Sequence, residues 1–401
     1  MIGFTPSEEQ EALRDTARGF ARRSIRPLVG RVHCEGIEGG TWDLVRPVVE
    51  EGVKLGFTHM LVPEDAGGPG LSCLDAVIVL EEIGAADVAI AADYFALTAV
   101  MPLMPLRAGR PDGGRPFVER FLAAPAMMLA GAQSEPNVAG SELMMAGPDA
   151  AFGPKLSAQR DGDGWVLNGS KSAFVTNAGV ADHYFIIART DPDKPVFEGL
   201  TVFDLPAGTP GLSVGRNTEL IGWPLSHHAP LSFDSVRVSD DQRISKVGGA
   251  AMLFARLPEM GACLAACFVG LARASLEYAL AYAKERHSLG RPIAQHQAVA
   301  LKLAEMASEL HAARLMVWEA ASACATDPMR AAMFSGPAAT AKAVDVAIRN
   351  AQLCMEILGG YGVTREYEAG RFFNDALVGY SCDFTREILH LGIAQGLCDA
   401  P

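Results

Sequence analysis

Positive charge is scarce in this sequence: 34 Lys and Arg stand against 47 Asp and Glu, a net charge of −13. That balance argues against nucleic acid or an anionic membrane as partner, since both are held by a basic footprint. Paired cysteines are missing as well. The eight cysteines sit at positions 34, 73, 263, 267, 324, 354, 382 and 398, with no Cys-x-x-Cys among them. Neither a zinc site nor a thioredoxin-like pair is expected, and reduced thiols in a cytoplasmic protein are. No metal site is expected. The longest apolar runs, Tyr94 to Leu106 and Met260 to Ala272, fall short of a membrane span of roughly 20 residues. The stretch from Met1 to Glu9 has neither the basic nor the apolar region of a secretory leader. Internal repeats and low-complexity segments are absent too. What remains is 49% hydrophobic and 20% charged over 401 residues, which predicts a globular chain of two or three domains.

The pattern changes twice along the chain. Residues 1–128 read as helices: Ser7-Glu8-Glu9-Gln10 has the form of an N-cap with an acidic first turn, and Leu13, Ala17, Phe20 and Ala21 follow at helical spacing. A breaker-rich loop, Val62 to Gly70, precedes another helix from Leu74 to Ile83. Residues 129–245 instead hold short runs of strand formers, Trp165 to Leu167, His183 to Ile187 and Leu200 to Phe203, separated by turn clusters such as Asp161-Gly162-Asp163-Gly164. In residues 246–401 the helical period returns, with Leu264, Ala265, Phe268, Ala272, Leu276 and Ala279 on one stripe and Val299, Leu303, Met306 and Leu310 on another, as in a bundle. The order is helical, β, helical.

Five segments carry groups suited to chemistry. Gln133-Ser134-Glu135-Pro136-Asn137-Val138-Ala139-Gly140-Ser141-Glu142 offers small residues, hydroxyls and backbone N–H groups to a ligand, or is a plain surface turn. In Lys171 to Gly179, Phe174 and Thr176 fall on one face of a strand. They could cover and hydrogen-bond a flat ring, or be a core Phe beside a solvated Thr. Arg286 to Gln297 breaks a helix at Gly290 and Pro292; it suits a diphosphate clamp or a simple helix corner. Glu356-Ile357-Leu358-Gly359-Gly360-Tyr361-Gly362 ends a helix on glycines that would also let backbone approach a cofactor. It lacks the strand-before, helix-after setting of a Rossmann fingerprint. In Gly379 to Glu387, Asp383 lies among small and apolar residues. Buried beside a bound ligand it would have a raised pKa and could act as a base; exposed, it would merely cap a helix.

In this order the segments resemble the acyl-CoA dehydrogenase family of flavoproteins over essentially the whole chain. The resemblance rests on Phe4-Thr5 to Arg26-Pro27, Val62-Pro63-Glu64 through Gly70-Leu71, Glu135-Pro136, Asn168-Gly169-Ser170-Lys171, Thr176-Asn177 and Phe233 to Val238. It continues through Arg286, Gly290 to Ile293 and Gln297, and Gly359-Gly360-Tyr361-Gly362 to Tyr367. It implies an α+β multidomain fold: an N-terminal helical domain (1–128), a middle β-barrel domain (129–245) and a C-terminal four-helix bundle (246–401). It also implies FAD between the last two, touched by Gln133, Ser134, Ser141, Phe174, Thr176, Thr385 and Glu387. Arg286, Gln297, Glu356, Gly359 and Gly360 would reach the FAD of a neighbouring subunit, so a homo-oligomer, usually a tetramer, is implied.

The chemistry the resemblance implies is α,β-dehydrogenation of an acyl-CoA. A carboxylate removes the α-proton, the β-hydride passes to flavin N5, and electrons leave to an electron-transfer flavoprotein. The family's base is a glutamate followed by Gly and Thr; here the matching positions are Asp383, Phe384 and Thr385. Some relatives place the base near Met260, which makes Glu259 a reserve candidate. An arginine common on that helix is Gly261 here, and Glu356 stands where many relatives carry Gln. These departures keep other readings open: a nitroalkane-type oxidase, an acyl-carrier-protein substrate, or a catalytically silent subunit of a hetero-oligomer.

Overall fold

The computed structural model describes residues 5–35, 41–110, 112–139, 142, 147 and 149–398. The N-terminal helices are α1 (Glu8–Phe20), α2 (Arg26–Glu35), α3 (Trp42–Lys54), α4 (Cys73–Ala86), α5 (Val88–Phe95), α6 (Leu103–Arg107) and α7 (Arg115–Ala123). Their starts follow local chemistry. Ser7 and Gln10 close a capping box on α1, Ser72 and Asp75 do the same on α4, and the Asp87 carboxylate accepts from the Ile90 N–H at the head of α5.

The middle domain is one seven-stranded mixed sheet. Its strands are β1 (Leu129–Ala132), β2 (Ser157–Asp161), β3 (Gly164–Thr176), β4 (His183–Arg189), β5 (Leu200–Pro206), β6 (Leu212–Val214) and β7 (His228–Ser239). They pair in the order β1-β4-β2-β3-β7-β6, with β5 on the other side of β4. The long β3 runs antiparallel to β7 and slips register between Leu167 and Gly169 and again between Lys171 and Val175. Such slips bend a strand. The second spans Phe174 and ends just before Thr176.

The C-terminal helices are α8 (Glu259–Glu285), α9 (Gln297–Thr326), α10 (Gly336–Leu358), α11 (Ala369–Val378) and α12 (Arg386–Cys398). Between α8 and α9, Leu289 and Gly290, both at positive φ, turn a two-residue hairpin. Helices α4 and α8 touch backbone to backbone. A Cβ on Gly84 would stand 2.3 Å from the Cys267 carbonyl, and one on Gly270 2.4 Å from that of Glu81. The N-terminal helices and the bundle therefore share one hydrophobic core, while the sheet keeps a second.

The apolar runs read from sequence extend further as helices. Val88–Arg107 and Glu259–Glu285 are 20 and 27 residues long and apolar enough to cross a membrane by length and composition. The expectation that no segment reaches that length is corrected: counting only uninterrupted apolar residues cut both helices short. Most of the most apolar stretch in each is buried inside the protein, so its apolar surface already has a partner in the core.

Candidate active site

A cavity opens where the three domains meet. Phe95, Met101 and Met104 wall it from the N-terminal helices, Gln133, Thr176 and Trp223 from the middle domain, and Met260, Asp383 and Phe384 from the bundle. Asp383 is the one ionisable carboxylate among the described lining residues, and no Lys, Arg or His lines the cavity with it. Its backbone is left-handed, φ +52°, a conformation Asp tolerates better than most residues. Asp383 is exposed by accessible surface, yet the protein packed around it pushes its carboxyl up to about 6. Both follow from its place: it opens onto the cavity and is surrounded by protein on its other sides. No hydrogen bond or ion pair offsets the desolvation among the described residues. The thiols of Cys267 and Cys382 nearby are held protonated, first by burial and then by the Asp383 charge.

Two hidden carboxylates hold the walls in place. Lys171, 0% exposed, donates through Nζ to Glu135 Oε1 at 2.9 Å and to the Gln133 carbonyl at 3.0 Å. Glu135 also accepts from the backbone N–H groups of Lys155 and Leu156 at 2.7 and 2.9 Å. Burial pulls the Lys171 ammonium down to about 8 against the opposing pull of Glu135. This paired, hydrogen-bonded unit fixes the loop that presents Gln133. Gln133 Oε1 is buried and has no partner among the described residues. On the other wall, the Asp375 carboxylate accepts from the Trp223 backbone N–H at 2.8 Å.

Three family models match the chain: the acyl-CoA dehydrogenase N-terminal domain over residues 7–122, the middle domain over 130–236 and the C-terminal domain over 248–398. An acyl-CoA dehydrogenase of Bacillus subtilis (strain 168) is 31% identical over 398 residues, 98% of either chain. The chain belongs to the acyl-CoA dehydrogenase family. Among solved structures, butyryl-CoA dehydrogenase from Megasphaera elsdenii superposes with a TM-score of 0.89 at 26% identity, covering 99% of this chain and 100% of that one. A glutaryl-coenzyme A dehydrogenase–glutaryl-CoA complex superposes at 0.85 with 28% identity, covering 99% and 97%. The protein is thus an oxidoreductase of the acyl-CoA dehydrogenase type, with that family's three-domain architecture.

Within this family frame, the residues singled out in the sequence fall into two sets. Gln133, Thr176 and Asp383 share the cavity. Ser134 stands beside it, its hydroxyl 2.7 Å from that of Ser172. Phe174 is 64% exposed, so it is not a core Phe; Val175, between it and Thr176, is buried on the opposite face of the strand. Ser141 lies outside the described residues. Thr385 and Glu387 adjoin Asp383, Thr385 half-buried and Glu387 exposed beside Arg386. The second set is exposed on the bundle. Arg286 lies over the Tyr361 ring, Gln297 opens α9, and Gly359 and Gly360 follow α10. Lys302 holds the Glu356 carboxyl below its usual range.

The reserve base does not reach the cavity. Glu259 takes a two-point ion pair from Arg107, at 2.6 and 2.8 Å, and its neighbour Met260 lines the cavity instead. One residue along a helix is about 100° of rotation. Gly261 faces away as well, since a Cβ there would stand 2.6 Å from the Gly336 backbone of α10. Sequence reading missed the roles of Lys171 and Trp223. Glu135 and Lys171 are 36 residues apart, and nothing in either segment marks them as a pair.

Proposed function

We propose that this protein oxidises an acyl-CoA thioester between Cα and Cβ, with FAD as cofactor and Asp383 as the base. The supporting observation is a carboxylate with no cation or hydrogen-bond donor among the described residues, held near pH 6 in an apolar cavity. The residues present fit FAD. Gln133 offers a buried, unpartnered carbonyl oxygen, Thr176 a hydroxyl on the cavity, and Phe174 an exposed aromatic face two residues away. FAD, when bound, supplies N5 as acceptor of the β-hydride, leaving a trans-2-enoyl thioester.

The protein's own part is proton removal and water exclusion. A thioester α-proton is weakly acidic. A base whose pKa is raised by desolvation binds that proton more strongly than a solvated Asp, yet is still largely ionised at pH 7. Once an acyl group fills the cavity, its apolar walls keep water from competing. They also bring no cation to meet a second carboxylate, which favours an uncharged acyl group, branched or cyclic ones included. Arg286, Gln297, Glu356, Gly359 and Gly360 are assigned to the FAD of a neighbouring subunit in a homotetramer. Electrons are assigned to an electron-transfer flavoprotein, and the reaction to the cytoplasm.

Anaerobic titration with a panel of acyl-CoAs tests the reading. Flavin bleaching is expected with at least one of them. Asp383→Asn should keep FAD and reduce it about 10²–10⁴-fold more slowly, the usual contribution of a general base. Reduction of the Asn variant at the native rate would overturn the assignment of the base. Rapid oxygen consumption in air would favour the oxidase reading. Protein that stays colourless after soaking with FAD would end the proposal.

A further inference from the structure

His228 is absent from the residues the family resemblance points to, yet it stands directly behind Thr176. The two are cross-strand partners in the β3–β7 ladder, and His228 Nδ1 lies 3.4 Å from Thr176 Oγ1. The His228 backbone is locked on both sides: its N–H donates to Asn217 Oδ1 at 3.0 Å, and its carbonyl accepts from the Thr218 N–H at 2.6 Å. The ring is buried, tilted against Trp223 at 6.4 Å between centroids, and its Nε2 has no partner among the described residues.

We propose that His228 is a positioning residue that, through Nδ1, sets which hydrogen-bonding face of the Thr176 hydroxyl is turned to the flavin. The inference rests on the FAD reading of the cavity. Burial and the adjacent His227 keep the imidazole neutral, lowering it to about 4 against the opposing Phe174 carbonyl. A neutral imidazole has one donor and one acceptor nitrogen. If Nδ1–H donates, the Thr176 hydrogen is free to donate into the cavity; if Nδ1 accepts that hydrogen, only the oxygen lone pairs face inward. In one tautomer His228 occupies a lone pair of the hydroxyl and in the other its hydrogen, so the polarity left for the ligand is set from behind.

The test compares two amides. The His228→Asn side chain places a polar atom where Nδ1 stands, whereas that of His228→Gln places it nearer Nε2. Thr176→Val removes the hydroxyl itself. The readout is the two-electron midpoint potential of bound FAD, with its visible spectrum, neither of which needs a substrate. Thr176→Val and His228→Gln are expected to change the relative affinity for oxidised and reduced flavin about tenfold, a shift of about 30 mV for a two-electron couple. The shifts should have the same sign, and the double variant should move no further. His228→Asn should keep the native potential. Native potentials in both His228 variants, equal shifts in both, or additive shifts in the double variant would overturn the inference. FAD that binds but accepts nothing from acyl-CoA would count against the proposed reaction and leave the His228 test intact. Failure to bind FAD would end both.

Discussion

Asp375 holds Trp223 at two points. Its Oδ1 accepts the Trp223 backbone N–H at 2.8 Å, and its backbone carbonyl accepts the indole N–H at 2.9 Å. Its second carboxylate oxygen accepts from Arg371 Nη1 at 3.0 Å. A Cβ on Gly222 would lie 2.5 Å from the Asn374 carbonyl, so the segment bearing Trp223 is pressed against α11. A wall of the cavity from the middle domain is thereby fastened to the bundle.

Removing that carboxylate leaves a buried guanidinium and a buried N–H short of an acceptor. Asp375→Ala is expected to lose about 3–5 kcal/mol of stability, the scale for breaking a buried pair from one side. Asp375→Asn keeps an acceptor and should lose less. Denaturant unfolding measures both, and an Ala variant as stable as the parent would refute the fastening role.

Glu259 offers a negative control for the base. Its carboxylate is tied to Arg107 and does not line the cavity. Glu259→Gln should reduce bound flavin within about twofold of the parent, since a general base contributes 10²–10⁴-fold. It should also lose about 1 kcal/mol of stability, because the pair is only partly exposed. A rate collapse in stopped-flow reduction would move the base to this helix.

The domain order and the cap of α1 were legible in sequence because each is written locally: Ser7 and Gln10 are three residues apart. Asp383 was singled out by the family resemblance, since its own segment of small and apolar neighbours also fits an exposed helix-capping Asp. What was not legible joins distant segments. Lys171 meets Glu135, Trp223 meets Asp375 across 152 residues, and His228 meets Thr176 only because β7 pairs with β3. Glu259 came from the resemblance as a reserve one residue from the matching place, and the structure ties it to Arg107 instead.

Phe384 fills space beside Asp383 where the family pattern has Gly. It is buried and lines the cavity. Phe384→Ala should widen acceptance toward bulkier acyl groups, seen as a relative gain in kcat/KM for branched or cyclic substrates of about 10-fold or more, the scale of one or two methylenes. Because the ring faces a cavity on one side, the stability loss should stay near 2 kcal/mol, below the 3–5 of a closed core. An unchanged substrate ranking would show that Phe384 does not limit the site.

Asp383 ties rate and stability to the same proton. Its carboxyl is raised from 3.8 to about 6 by burial, so below pH 6 it holds a proton and cannot accept one. The rate of flavin reduction should therefore fall about tenfold per pH unit below 6 and level off above it. Stability runs the other way. Between pH 3.8 and 6 the folded protein binds this proton more tightly than the unfolded chain, so this group's contribution declines as pH rises through that window and is lowest above it. Each unit is worth 1.36 kcal/mol, and water reaching the side chain through the cavity screens part of that. Asp383→Asn tolerates the left-handed backbone and carries no charge. It should be about 1–2 kcal/mol more stable than the parent at pH 7 and equal to it at pH 4. Equal unfolding midpoints at both pH values, with a pH-independent reduction rate in the parent, would show that the carboxyl is neither desolvated nor the base.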